Sequence, residues 1–355
     1  MKKILHIANF NLLKTKGCSQ NSTQIKITNG LIREGYNVIN YSDRDLCRML
    51  GFGSMNFWGR KKINEHLLKF CREVKPDAIV MGHADTVSTE TLLEIKHEIP
   101  GMKILEWNVD PISSVTDYPF SAFNIKKLEQ KLPAVDVLLI TTAQKEDLLR
   151  FKRNGTQVGF LPNIVDASIE TGRNFEREEL EYDFMFACHP QCKRQFCGVY
   201  TDVEEIARGI SRHVEGLHPL FAGLLGNPRV EASRYQEAYL KTAMGFSLSH
   251  INDVYLYSSD RLAHMMGNGL LAFVDRRTGY TDLLAEDEVG FYSEPEELYQ
   301  KIAYYKTNPR ARMEAARKGW KHYHQLFNER IIGRYMASLL FGDFKSEDYP
   351  FPTLI

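Results

Sequence analysis

Short apolar runs, each about a strand long, alternate with stretches of helical periodicity along this chain, and they do so in two successive series. A strand that is apolar throughout must be covered on both faces, so such alternation calls for a parallel sheet with helices on either side. In the first series the strands are read at 3–8, 37–41, 77–81, 103–107, 135–140 and 158–161. Helices are read up to Gly35 and at 63–74, 89–97 and 143–153, with Gly155 as a stop. The second series has strands at 182–187, 218–222, 245–248 and 270–274, then helices at 296–305, 309–324 and 329–341.

At 355 residues the chain exceeds what one hydrophobic core usually sustains, roughly 250–300 residues. Between the two series, 162–181 is polar and charged with little apolar periodicity, as an interdomain linker would be. The expected organisation is a domain at 1–165, a linker at 166–181, a second domain at 182–325, and a terminal helix and tail at 326–355 packing back on the first domain. The expected fold class is α/β, two Rossmann-like doubly wound domains facing across a cleft, with ligands at the carboxyl edges of the sheets.

Charge excludes one class of partner. Lysine plus arginine and aspartate plus glutamate each total 45, so no net field attracts a polyanion and a general nucleic-acid binder is disfavoured. No window approaches the ~18 apolar residues of a membrane span, and the first apolar run is too short for a signal peptide, so a cytoplasmic protein is expected. Six cysteines without a C-x-x-C pair point to reduced thiols. Cys188, Cys192 and Cys197 with His189 match no standard zinc spacing, and no metal is expected there.

The richest stretch for chemistry is 255–274. Ser258, Ser259 or Asp260 can cap a helix whose first turn presents Arg261, and Gly267 and Gly269 end it before a buried strand. Free N–H groups beside a guanidinium suit a diphosphate. His264, three residues on, shares that face. The plainer alternative is an arginine paired with a carboxylate and a histidine in a satisfied contact. In the first series, Asp110 follows a buried strand directly, so its carboxylate should stand at the sheet's carboxyl edge, where it can serve as a base or simply cap Ser113 or Ser114 in a turn. His83 and Asp85 end the preceding strand in the same way and are second choices for acid–base work or acceptor binding. Gly17, with Cys18, Ser19 and Asn21, can bring backbone N–H groups to an anion. Without G-x-G-x-x-G, a dinucleotide site is disfavoured. Arg60, Lys61, Lys62, Lys69, Arg72 and Lys75 gather on one helix, which is either a solvated face or a surface for anionic lipid.

From 259 to 334 the sequence resembles the C-terminal domain of glycosyltransferases with the GT-B fold, especially the group related to the spore maturation protein CgeB. The resemblance is carried by Ser259-Asp260-Arg261-Leu262 with Gly267 and Gly269, Tyr280-Thr281-Asp282-Leu283-Leu284, Val289-Gly290-Phe291-Tyr292 and Pro295-Glu296-Glu297-Leu298. It continues through Lys301-Ile302-Ala303-Tyr304-Tyr305, Pro309-Arg310-Ala311-Arg312 and Ala316-Arg317-Lys318-Gly319. It implies a nucleotide-sugar donor (UDP-, GDP-, TDP- or CMP-sugar) on Arg261, His264, Ser259 and Gly267. Lys193 or Arg194, in the loop after the strand at 182–187, would neutralise the leaving phosphate unless they form only a solvated basic turn. It also implies a glycan or lipid-linked glycan acceptor, metal-free transfer without a cofactor, and a role in cell-surface polysaccharide or lipopolysaccharide synthesis near the inner membrane. Asp110 would be the base if configuration inverts and would position the acceptor otherwise.

One departure stands out. Many relatives carry a glutamate four residues after the position of Asp260, where this chain has His264. Ser258-Ser259 and His189-Pro190 are similar to the serine pair and His-Pro motif of transferases that use CMP-sugars. A nucleotide-sugar epimerase or hydrolase of the same architecture, and a catalytically silent sugar- or nucleotide-binding protein, remain as alternatives.

Overall fold

The computed structural model describes residues 1–13, 22–113, 120–153 and 155–355. The chain divides into two compact units, Met1–Leu161 with Glu329–Ile355, and Pro162–Asn328.

The first unit runs β1 (Lys3–Ala8), α1 (Thr23–Arg33), β2 (Asn37–Ser42), α2 (Asp43–Leu50), α3 (Phe57–Val74), β3 (Ala78–Gly82), α4 (Thr89–Glu98) and β4 (Lys103–Asn108). It continues with α5 (Ser121–Lys131), β5 (Val137–Ile140), α6 (Lys145–Phe151) and β6 (Gln157–Phe160). Its strands form one six-stranded sheet in the order β2-β1-β3-β4-β5-β6. Every pairing is parallel, and Ile4, Leu5, Ile79, Val80, Ile104, Leu105 and Leu138 have no exposed surface. Full burial of both strand faces is why these segments read as continuous apolar runs.

The second unit runs β7 (Tyr182–Met185), β8 (Lys193–Phe196), β9 (Val199–Asp202), α7 (Val203–His213), β10 (Pro219–Leu220), α8 (Ser233–Leu240), β11 (Thr242–Ser247) and α9 (Arg261–Gly267). After these come β12 (Leu271–Asp275), β13 (Gly290–Tyr292), α10 (Pro295–Thr307) and α11 (Pro309–Phe327). The sheet is five-stranded and parallel, in the order β10-β7-β11-β12-β13, and β8 and β9 form a separate antiparallel hairpin. The last helix, α12 (Glu329–Phe341), returns to the first unit and lies on α1. The two backbones meet there: a Cβ on Gly30 would fall 2.0 Å from the Glu329 carbonyl oxygen, and one on Gly333 2.5 Å from the Gly30 carbonyl carbon.

One expectation is corrected. The polar stretch 162–181 is not an exposed linker but part of the second unit, with Ile164, Val165, Asp166, Glu170, Asn174 and Phe175 all buried. Most of these buried polar groups find partners within the unit, as burial of such groups requires, although Asn163 Oδ1 has none among the described residues. Asn163 Nδ2 donates to Ser258 O at 2.8 Å, Asn174 Nδ2 donates to the Tyr239 and Thr242 carbonyls at 2.7 Å, and Glu170 Oε2 accepts from Asp166 N at 2.8 Å. Among the described residues no helix is long and apolar enough to cross a membrane.

Candidate functional site

In the second unit, the carboxyl end of β7 leads into Phe186, Ala187 and Cys188, and the chain then turns through His189 to Cys192 into β8. Side chains alternate along β8, which separates two residues that composition alone treats as a pair. Lys193 is exposed, whereas Arg194 is buried. The loop after β11 is tied to the same strand: Gln195 N donates to His250 O at 3.2 Å, and Asn252 Nδ2 donates to Gln195 O at 2.6 Å. Ser249 Oγ accepts from Ser259 N at 2.8 Å, which fixes the start of α9.

Arg261 is the first residue of α9, and its Nη2 donates to Leu248 O at 2.7 Å. The expected side-chain cap is absent. Asp260 occupies the cap position with helical backbone angles and no side-chain bond into the helix, and Ser258 Oγ is engaged by Asn163 Nδ2 and the Tyr280 hydroxyl at 2.9 Å each. Ser259 Oγ is buried and, among the described residues, has no partner.

The same holds for the Nε atoms of both Arg194 and Arg261. The two guanidinium groups act on common neighbours. A hydrogen bond with Cys192, whose sulfur is 3.6 Å away, together with the charges of Arg194 and Arg261, brings the Cys188 thiol below its ordinary value against the opposing effect of burial. Burial, reinforced by the same two arginines, pushes His250 down to about 3. Two partly desolvated cations, each with an unmet Nε donor among the described residues, form a site that favours an anion. A cavity of about 170 Å³ adjoins it, lined by Ala187, Cys188, Ala222, Arg229, Glu231 and Tyr235.

His264 lies behind this cavity. Its Nδ1 bonds Glu170 Oε1 at 2.8 Å, and its ring meets Tyr235 edge to face at a centroid distance of 6.2 Å. The Tyr239 hydroxyl donates to the Tyr235 hydroxyl at 2.8 Å. His264 therefore supports a wall of the cavity and does not project from the α9 face as expected from spacing. Gly267 is a packing position, because a Cβ there would come within 2.7 Å of the Glu170 side chain.

In the first unit, β3 and β4 end side by side. Gly82 leaves room for Trp107, whose ring a Cβ would strike at 2.0 Å, and the chain after Gly82 turns through His83 and Ala84, with φ of 57° and 41°. This turn brings His83 Nδ1 to 3.6 Å from Asp110 Oδ2, within ion-pair reach. Asp110 is half exposed, and its N–H donates to Asn108 Oδ1 at 2.8 Å. Burial lowers His83 against the pull of Asp110 and Asp85, so its imidazole is neutral at physiological pH.

Asp85 is held differently. Arg44 and Lys127 pair with its carboxylate and, against burial, keep it below the usual carboxylate value. An ion-paired carboxylate of this kind is a poor base. Lys131 Nζ donates to the His83 and Ala84 carbonyls and lies 3.8 Å from Glu106 Oε1. Glu106 is buried in β4 with Oε2 unpartnered among the described residues, and burial raises it to about 7. A cavity of about 810 Å³ is lined by Arg60, His83, Asp85, Phe123, Lys127 and Lys131 among others. Gly17 and Cys18 lie outside the described residues. Reading the sequence missed Glu106, Lys131, His250 and Tyr235. Only Glu106 left a signal there, as a charged residue within an apolar strand.

A family model described as glycosyl transferase-like matches residues 200–332. No curated protein matches the chain significantly by sequence. Among solved structures, the Anabaena protein HepE in complex with UDP and glucose is 12% identical with a TM-score of 0.59, over 96% of this chain and 100% of that one. A structure named as trehalose-6-phosphate from E. coli bound with UDP-2-fluoro glucose is 10% identical with a TM-score of 0.56, over 96% and 99%. A putative UDP-N-acetylglucosamine 2-epimerase from Listeria monocytogenes is 11% identical with a TM-score of 0.55, over 97% and 98%. The fold of this chain is that of the GT-B glycosyltransferases.

Proposed function

We propose that this protein is a glycosyltransferase of the CgeB-related kind, moving a sugar from a nucleotide sugar to a hydroxyl of a glycan or lipid-linked glycan. Its setting would be cell-surface polysaccharide or lipopolysaccharide synthesis on the cytoplasmic side. The observation that carries this reading is the pair Arg194 and Arg261, each with a buried Nε lacking a partner among the described residues, at the carboxyl edge of the second unit's sheet. A diphosphate supplies the anionic oxygens that such donors lack, and the fold is shared with proteins solved with UDP. UDP is accordingly the first nucleotide to test, ahead of GDP, TDP and CMP.

In this reading the two arginines bind the diphosphate and take up the charge that grows on it as the sugar–phosphate bond breaks, with no cofactor or metal in the step. Ser259 offers its hydroxyl to the same group. Lys193, being exposed, contributes at most long-range attraction. His264 acts as a positioning residue through Tyr235. The first unit holds the acceptor, and Asp110, with neutral His83 beside it, takes the acceptor hydroxyl's proton as that oxygen attacks the anomeric carbon.

Thermal stabilisation by UDP, GDP, TDP and CMP, measured on the wild type and Arg261→Ala, tests the donor site. UDP should stabilise the wild type, and the substitution should abolish the shift; stabilisation that survives it refutes the assignment. The likeness to the putative Listeria epimerase favours a second reading, in which the nucleotide sugar is epimerised or hydrolysed with no acceptor. Turnover of a UDP-sugar at full rate without added glycan would favour that reading over transfer.

A further inference from the structure

From Asp45 to Glu65 the chain carries Arg48, Arg60, Lys61 and Lys62 against only the two acidic end residues. Arg48 lies 3.5 Å from Asp45, and Lys61 lies 4.0 Å from the exposed Glu65, a weak pair that a headgroup phosphate can replace. The same segment displays its large apolar side chains to solvent: Phe52 is 89% exposed, Phe57 72%, Trp58 59% and Met49 64%. The exposure is built in. The inward side of α3 is anchored by buried Gly59, Ile63, Leu67 and Cys71, and Asn56 Oδ1 caps the helix by accepting from Gly59 N at 2.8 Å. This anchoring leaves the Phe57 and Trp58 rings, edge to face at 5.7 Å, on the outer side. Phe52 has a φ of 56°, in the left-handed region that disfavours a side chain, yet packing does not compensate because its ring is the most exposed of the group. Lys62 Nζ stands 5.3 Å from that ring.

We propose that this segment docks the first unit on an anionic phospholipid bilayer. Phe52, Phe57 and Trp58 enter the boundary between headgroups and acyl chains, and Arg48, Lys61 and Lys62 meet the headgroup phosphates. Aromatic rings flanked by lysine and arginine suit that boundary, where rings lie in the interface and cationic heads reach the phosphates. A second copy of the chain fits less well, since a symmetric contact would bring like charges together. Arg60, on the same turn of α3, also lines the cavity of about 810 Å³, with exposed Phe123 and Leu93 on its rim. Docking would thus set that cavity beside the membrane surface, which, where the proposed function holds, is where a lipid-linked acceptor resides.

The test is sedimentation of the full chain with vesicles of phosphatidylcholine alone or mixed with phosphatidylglycerol. The wild type should bind the mixed vesicles, lose affinity as salt is raised, and ignore neutral ones. Phe57→Ser with Trp58→Ser, and separately Lys61→Glu with Lys62→Glu, should each weaken binding by about tenfold or more. All four side chains are exposed, so melting temperature and stabilisation by UDP should stay unchanged in both variants. Failure to bind the mixed vesicles, equal binding to neutral ones, wild-type affinity in both variants, or a wild-type dimer that both variants abolish would overturn the proposal. Because UDP stabilisation is read separately, loss of the docking idea leaves the donor site standing, and the reverse.

Discussion

His264 Nδ1 and Glu170 Oε1 lie 2.8 Å apart with both side chains almost wholly buried. This bond joins α9, which carries Arg261, to the 162–181 segment, and it places a carboxylate from elsewhere in the chain against the His264 ring. Glu170 also receives Asp166 N through its other oxygen, and Gly267 packs on its side chain. The pair is thus a structural clamp beneath the cavity that holds Tyr235.

Glu170→Ala should therefore destabilise the protein. It leaves the His264 ring and the Asp166 N–H buried without their acceptor, at a cost of about 1–3 kcal/mol each. The melting temperature should fall by at least about 4 °C, and by less in Glu170→Gln, which keeps an acceptor oxygen. A melting curve for Glu170→Ala superimposable on the wild type would mean that the clamp contributes nothing.

Cys188 reports the arginine pair in part, alongside the larger effect of its hydrogen bond with Cys192. With its thiol held below the ordinary value, alkylation by iodoacetamide should have its rate–pH midpoint below that of a free cysteine. Removing a cation destabilises the thiolate, so Arg194→Ala and Arg261→Ala should each shift the midpoint of the rate–pH profile upward. UDP, if it binds these arginines, should slow alkylation of the wild type. A midpoint that stays in place in both variants would show that the guanidinium groups do not act on this sulfur.

Much of the architecture was legible because strands buried on both faces carry an unmistakable apolar run, as in Ile79, Val80 and Met81. The 162–181 segment misled for the opposite reason. Asp166, Glu170 and Asn174 are buried by bonding one another and the backbone, and composition cannot distinguish a satisfied polar interior from a solvated linker. The short hairpin of β8 and β9 escaped because Lys193-Arg194-Gln195 has no apolar alternation to announce it. The hairpin also decides which of the two cations points inward. His264 sat on the expected helix, but its direction depended on Glu170, 94 residues away in sequence.

In the first unit, Asp110→Asn should reduce kcat by about 10²–10⁴ if Asp110 is the base, with stabilisation by UDP unchanged because the proposed nucleotide site belongs to the other unit. His83→Gln should cost less, since it keeps a hydrogen-bonding group beside Asp110 while removing a titratable one, and it should alter the acid limb of the kcat–pH profile. Steady-state kinetics with a saturating donor check both. Wild-type kcat in Asp110→Asn would remove the carboxylate from the reaction.

Glu106 gives the first unit a pH dependence whose sign can be worked out. Its ordinary value is 4.5 and burial raises it to about 7, so the folded chain holds this proton more tightly than the unfolded chain does. Stability from this group is therefore present below 4.5 and is lost as pH rises towards 7, by about 3 kcal/mol in all. Buried His6 works the other way, since its value falls to about 3 and charging it opposes folding as pH drops below 6.5. Comparison with Glu106→Gln isolates the glutamate, because the histidine is common to both proteins and Lys131 keeps its bonds to the His83 and Ala84 carbonyls. The variant should gain stability over the wild type in urea unfolding at pH 8, and the gain should shrink steadily towards pH 5. A difference that does not change across this range would mean that Glu106 titrates alike in the folded and unfolded chains.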